Sequence, residues 1–468
     1  MVVALACLFV FLVMAALMYT RRLSALLALP LMAIAISLSA GIPGHDITGQ
    51  VLGAGSLTLA NAYTTTMFGA VLAELINRQG IARAMIRWVA EFAGDNPFVL
   101  GAVMTCVVAL LFSTLGGLGA VIMVGTIVLP VMLSLGIQTV TAGGLFLFGI
   151  SLGGMFNLSN WQLYMDVLHI ERSAIMSFVL PFAGVMAAIV LVYLAVELRR
   201  LKNFGYLAAA LAVMGAGMVA LSRFTGGAQA AAAASGADRT SLTVTGVSLA
   251  FMALFALRRH LRREVSTPAI AAATPFIPLL LVLAGRWEII PAFLAGITFG
   301  VLATWQRNSV NTLTRAIIDG VATVIPAVVL MIGIGMLLAA VKHPKVAGAL
   351  APLLTQIVPT HALPYVLVFT ALAPLSLYRG PLSLWGMGSG LVALVQKTTS
   401  LSSPAIMGML MSVGQVQGVC DPTNTQNVWI ATYLGTDTQQ LLAKTLLYVW
   451  FGVFAGLSLA VFFGYVPW

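Results

Sequence analysis

Two short polar segments break into otherwise apolar sequence and hold residue types able to do chemistry. One contains Asn157, Ser159 and Asn160; the other contains Asp421, Pro422, Thr423, Asn424 and Thr425. A broken helix at membrane depth survives only where its freed backbone groups find partners or line a wet cavity. Unwound carbonyls and hydroxyls suit a small cation, while helix N-termini facing the gap suit an anion. Asn157, Asp421 and Thr423 are therefore candidate ligands for a coupling ion, sodium included, and Asp421 is alternatively a proton carrier. Asn157, Ser159, Asn160, Thr423, Asn424 and Thr425 are candidate contacts for a bound solute. The plainer reading of the same residues is that they mend the kinks they sit in.

Two more candidate segments lie in the apolar stretches 97–135 and 361–397, each interrupted near its middle by glycine, proline and hydroxyl residues. Ser113, Thr114 and Gly117 mark the first interruption; Ser376, Arg379 and Gly380 mark the second. A charge inside a membrane is expensive enough to count as a functional hypothesis. The forked donor of Arg379 suits a carboxylate. Snorkelling from a shallow tip is the competing account for Arg379, and a static ion pair between Arg379 and Asp421 is the competing account for both. Glu74, Asp166 and Asp319 lie near span ends, where solvated or interfacial roles are expected. Trp161 and Tyr164 flank the first break and can either wall a cavity or pack against a neighbouring helix.

The elements that must position these residues follow from composition. The chain is 60% hydrophobic and only 8% charged over 468 residues, whereas an ordinary globular chain is about a quarter charged. Such a sequence cannot dress a water-facing surface, and the fold class it predicts is an all-α membrane protein. Apolar runs of spanning length predict about twelve transmembrane helices, near 2–18, 23–41, 51–76, 140–170, 173–197, 205–222, 241–257, 267–284, 288–304, 316–341, 404–434 and 440–464. The stretches 97–135 and 361–397 read as re-entrant hairpins, since arms of about fifteen residues fall short of the roughly twenty a crossing needs. Charge parity along the chain does not separate a hairpin from two spans. Arg83, Arg87 and Glu91 recur at every fourth position in 81–93, predicting an interfacial helix there, with a weaker counterpart near 345–357. The Ala/Gly-rich stretch 226–238 reads as a linker.

Fifteen of the 23 lysines and arginines cluster at alternate ends of successive spans, so the net charge of +10 reflects topology rather than a nucleic-acid partner. The pattern places Arg258 to Arg263 in the cytoplasm and both termini outside it. The run Val2 to Met18 has no basic flank before it and no small-residue cleavage pattern after it, and reads as a retained span. Cys7, Cys106 and Cys420 show no disulfide or metal spacing.

The second half of the chain overlays the first. The segment 154–162, GMFNLSNWQ, aligns with 418–426, GVCDPTNTQ, at an offset of 264. The tip 113–120, STLGGLGA, aligns with 376–383, SLYRGPLS, at 263, and Gly69 falls on Gly333 at 264. Counted from the basic loops, the two copies start on opposite sides and are thus inverted. The predicted organisation is an extra span at 1–19; a first repeat, 20–198, with hairpin 97–135 and broken helix 140–170; connecting spans at 199–285; and a second repeat, 286–468, with hairpin 361–397 and broken helix 404–434. Inverted repeats with broken helices at the midplane are the architecture of secondary transporters. Arg379 and Asp421 break the symmetry, standing where the first copy has Gly116 and Asn157.

On the tips 113–119 and 376–383 and the breaks 157–162 and 421–426, the chain resembles the ion transporter superfamily. GVCDPTNTQNVWIATYLG followed by TDTQQLLAKT resembles the late segment of gluconate-type permeases, and the hairpin layout is similar to the citrate-transporter branch. The resemblance implies cation-coupled uptake of a small organic anion, such as a di- or tricarboxylate or a sugar acid, by an elevator-like homodimer in lipid, in a bacterial inner membrane. The Ser-Asn-Thr signature of the sodium-coupled dicarboxylate branch is absent in literal form, with Ser113-Thr114 and Thr423-Asn424-Thr425 its nearest stand-ins. Sodium and proton coupling both stay open. A channel or a proton/cation antiporter on the same scaffold is the alternative. An enzyme is not expected: no HExxH and no Ser/His/Asp set at midmembrane occurs, and all five histidines fall near span ends or loops.

Overall fold

The computed structural model describes residues 2–20, 22–198, 205–209, 211–212, 250, 252–258, 261, 267–380, 382–385 and 388–468. The linker 226–238, the basic clusters around Arg200 and Arg262, and most of the spans expected at 205–222 and 241–257 lie outside the described residues. Among those described, the regular structure is all helical.

Among the described residues, five helices are long and apolar enough to cross a membrane: Gly117–Ser134, Thr139–Phe156, Arg172–Glu197, Ser309–Lys342 and Thr438–Phe462. A helix satisfies its own backbone, which hydrocarbon cannot do, so apolar runs here fold as helices regardless of intrinsic propensity. Ser309–Lys342 has 34 residues and at 1.5 Å per residue is about 51 Å long, well beyond the hydrocarbon thickness of roughly 30 Å. The expected span 51–76 is interrupted. A π-helical stretch, Ile47–Ala54, leads into a short turn, Gly55–Leu57, and a new helix begins at Ala60. Gly53 and Gly55 supply no side chain to hold one continuous helix there.

The chain divides into two units. One comprises Met1–Tyr63, Asn160–Val185 and Ile325–Trp468; the other comprises Thr64–Ser159 and Met186–Val324. Each change of unit falls inside a helix, the last of them beside Pro326.

The unit with Thr64–Ser159 contains the first hairpin, Pro97–Phe112 and Gly117–Ser134. Its start is fixed by Asn96, whose side chain accepts from the Phe98 N–H at 2.9 Å beside a proline in the first turn. The second arm has 18 residues, longer than the fifteen the sequence implies, because the turn takes only 113–116. Thr139–Phe156 lies tightly on the first arm. A Cβ at Gly149 would stand 2.7 Å from Val108 Cβ, and one at Gly153 would run into the Ala109 carbonyl. Small residues one turn apart admit this backbone approach.

The other unit contains the second hairpin, Ala362–Leu372 continuing through a 3-10 turn, Ala373–Arg379, and returning as Gly388–Thr398. Ser403–Cys420 follows, capped by the Ser402 hydroxyl, which accepts from the Ala405 N–H at 3.2 Å. It packs along Thr438–Phe462, where Gly408 and Gly456 face Ala460 and Ser412. Tyr365 on the first arm donates to the Ala405 carbonyl at 2.7 Å, tying the arm to the start of that helix.

Candidate functional site

In the first unit to be considered, the interrupted helix Thr139–Phe156 and Leu158–Leu168 breaks at Asn157. A helix that stops strands its last carbonyls, and the hairpin turn at 113–116 strands those of the first arm. Asn157 meets part of this demand. Its amide donates to the Phe112 and Leu115 carbonyls, both at 3.1 Å, while its Oδ1 accepts from the Ser159 N–H at 3.0 Å. Both amide hydrogens are thus committed to the hairpin turn. Ser113 and Thr114 are buried, and their hydroxyls donate to the Leu110 carbonyl at 2.7 Å and the Leu111 carbonyl at 3.3 Å. Gly117 takes a left-handed φ of 82°, which only glycine adopts without strain, and opens the second arm. The Ser159 hydroxyl lies 3.3 Å from the Cβ position of Gly69. The candidates Ser113, Thr114, Gly117, Asn157 and Ser159 therefore do converge within one unit.

Asn160 lies across the division, with Trp161, in the unit that also holds Asp421. Trp161 is fully buried, as the packing alternative expects of it.

In that unit Ser403–Cys420 breaks at Asp421 and resumes at Thr425. Asp421 is wholly buried. Its Oδ1 accepts from the Thr423 N–H at 2.8 Å and the Thr423 hydroxyl at 2.6 Å, and its Oδ2 has no hydrogen-bond partner among the described residues. Asn424 and Thr425 open the resumed helix, Thr425 exposed to the surface. The resumed helix also reaches back. Gln426 donates to the Gly418 carbonyl at 2.9 Å, and buried Asn427 donates to the Val419 carbonyl at 2.8 Å while its own Oδ1 lacks a partner among the described residues.

The second hairpin turn rests on the same helix one turn earlier. Ser376 donates to the Ala373 carbonyl at 2.8 Å and to the Val413 carbonyl at 3.3 Å, and Ser383 donates to Gln417 Oε1 at 2.5 Å. A Cβ on Gly380 would collide with the Leu375 carbonyl, so the turn requires glycine there. The backbone of Arg379 is in the 3-10 turn; its side chain lies outside the described part of the structure.

A hard cation takes several oxygen ligands. The donor set Asn157, Asp421 and Thr423 does not assemble one within either unit. Asn157 belongs to one unit and the other two residues to its counterpart. Asn157 Oδ1 is taken by a backbone N–H, Asp421 Oδ1 by two donors, and the Thr423 hydroxyl gives its hydrogen to Asp421. Among the described residues, Asp421 Oδ2 is the one side-chain oxygen of the three without a partner. Within one unit, Asp421 and Thr423 alone do not supply that number of ligands. Among the described residues no group of three or more His, Cys, Asp or Glu is placed to hold a metal.

Sequence reasoning missed Gln417, Gln426 and Asn427, although each is a polar side chain inside an apolar helix, a pattern that marks helix-to-helix hydrogen bonding. It also left Glu74 and Asp319 as unconnected span-end charges. Arg78 joins them, at 2.7 Å to Glu74 and in direct contact with Asp319.

No family model matches the chain, and no curated protein is similar to it. Among solved structures the chain is similar to the crystal structure of the YdaH transporter of Alcanivorax borkumensis, at 15% identity and a TM-score of 0.51. The likeness covers 90% of this chain and 89% of that one. The chain therefore has the fold of a membrane transporter, taken nearly end to end. The likeness does not single out the citrate-transporter or gluconate-permease branch.

Proposed function

We propose that this protein is a secondary active transporter taking up a small organic anion, a di- or tricarboxylate or a sugar acid, coupled to a cation by alternating access. The observation that carries the reading is Asp421, a carboxylate buried at a helix break in a transporter fold, with one oxygen unpartnered among the described residues. An ionisable group buried at such a site is expensive and is retained where it binds something that comes and goes. Arg379 is the one cation in either hairpin turn and is assigned the substrate carboxylate, for which its fork is suited. Ser113, Thr114, Gly117, Ser376, Gly380 and the polar residues of both breaks form the rest of the solute path. The two similar arrangements of hairpin and broken helix are read as inverted repeats, working as a homodimer in a bacterial inner membrane.

The test is substrate counterflow. Purified protein in proteoliposomes loaded with unlabelled carboxylate should accumulate labelled carboxylate transiently, without an imposed ion gradient. A channel equilibrates the label without overshoot, and that outcome overturns the reading. Carboxylate-independent proton or sodium exchange would identify an antiporter instead.

A further inference from the structure

Asn157 and Asp421 share a backbone conformation, with φ −69°, ψ 119° for the first and φ −67°, ψ 112° for the second, each closing the helix before its break. In each, Oδ1 accepts from the N–H two residues on, at 3.0 and 2.8 Å. The neighbouring hairpin turns match as well, for Ser113 and Ser376 each donate to the carbonyl three residues back, at 2.7 and 2.8 Å. One atom differs. Asn157 Nδ2 donates to two carbonyls of its hairpin turn, whereas Asp421 Oδ2 is buried without a partner among the described residues. An ionised carboxylate can only accept, and a carboxylic acid can donate as an amide does.

We propose that Asp421 is a proton-operated latch: with a proton on Oδ2 it donates to a carbonyl of the second hairpin turn, as Asn157 does at the first, and without that proton the turn is released. The carbonyls at the hairpin offset from Phe112 and Leu115 are those of Leu375 and Tyr378. This rests on the transporter reading and deepens it by naming the proton as the coupling ion and the second hairpin turn as what it controls. The turn is already seated on the preceding helix by Ser383 on Gln417 and Ser376 on the Val413 carbonyl, so the latch needs only the link at the break.

Other ionisable groups lie on the elements around it. Cys420 adjoins Asp421, its sulfur 3.3 Å from the Thr445 hydroxyl, and Lys444 and Tyr448 lie on that same final helix. The turn itself carries Tyr378 and Arg379. Tyr365 and Lys397, on the two hairpin arms, are bonded to the Ala405 and Lys342 carbonyls. Asp421 is the one that occupies the Asn157 position, and it alone is claimed to work the latch.

Hydrogen exchange of the full chain in nanodiscs tests this, comparing peptides over 373–385 with peptides over 112–117, after correction for intrinsic exchange. Protection of the second turn should fall by about tenfold from acid to mildly alkaline pH, the factor given by one hydrogen bond of ordinary net strength. The first turn should not respond. Asp421→Asn should hold the second turn protected at every pH. Asn157→Asp should give the first turn the pH response it lacks, and it carries the test alone if Asp421→Asn does not fold. A wild-type pH response in Asp421→Asn, an unresponsive first turn in Asn157→Asp, or closure of the second turn by sodium at fixed alkaline pH overturns the latch. Carboxylate counterflow that persists after any of these results leaves the transporter reading in place.

Discussion

The amide of Asn157 donates to the Leu115 carbonyl at 3.1 Å, joining a broken helix to a hairpin turn 42 residues earlier in the chain. With its second bond to the Phe112 carbonyl, this side chain satisfies two backbone groups stranded by the hairpin turn. Asn157→Leu keeps the approximate size and leaves both carbonyls bare. We expect a loss of about 1–3 kcal/mol of stability, the usual consequence of an unsatisfied buried acceptor, measured as a lower denaturation midpoint in detergent. An unchanged midpoint would show that the break does not depend on Asn157.

Gly153→Ala places a methyl group against the Ala109 carbonyl and 2.8 Å from Phe112 Cβ. Neither neighbour can rotate away, since the first is backbone and the second is attached directly to it. The two helices must separate, at about 1–3 kcal/mol for an overpacked site. Gly348→Ala, at a glycine with open space around it, is the control and should leave thermal stability in place.

Arg78 serves two carboxylates, and Asp319 is about half exposed. Partly solvated pairs contribute about 0–1 kcal/mol, so Arg78→Gln should lower the denaturation midpoint only slightly. The loss should shrink as ionic strength rises, because salt screens the interaction that is removed. A large, salt-independent loss would instead assign Arg78 a packing role.

Much of this was legible because the relevant signals are side-chain patterns. Arg83, Arg87 and Glu91 recur with helical spacing, and the helix Ile81–Ala93 forms over the expected residues. The helix breaks at Asn157 and Asp421 fall where polar residues interrupt apolar runs. What stayed hidden involves backbone or distance. The acceptors of Asn157 are carbonyls of Phe112 and Leu115, and no residue type announces a stranded carbonyl. Arg78 and Asp319 are 241 residues apart, and only the fold brings them together. The π-helical stretch Ile47–Ala54 sits in sequence whose hydropathy reads as the entry to one continuous span.

Arg379 and Asp421 are the two charges that depart from the repeat, and their roles separate in a double-mutant experiment. If Arg379 holds the substrate carboxylate, Arg379→Gln should weaken substrate binding by about 2–5 kcal/mol, the range for removing one partner of a desolvated, hydrogen-bonded charge pair. Binding to purified protein, with each carboxylate titrated across pH and with and without sodium, measures this directly. Asp421→Asn should differ in kind. It installs the residue already present at position 157, whose surroundings fold around an amide. The protein should therefore remain stable and continue carboxylate counterflow while net uptake loses its dependence on pH or sodium. A static ion pair between the two predicts another pattern, because removing one member of a buried pair leaves an uncompensated charge, whereas neutralising both does not. In that case each single variant would be unstable, and Arg379→Gln with Asp421→Asn would recover expression and uptake together. Such non-additive recovery is the signature of direct coupling, and it would reassign the pair from transport chemistry to scaffold.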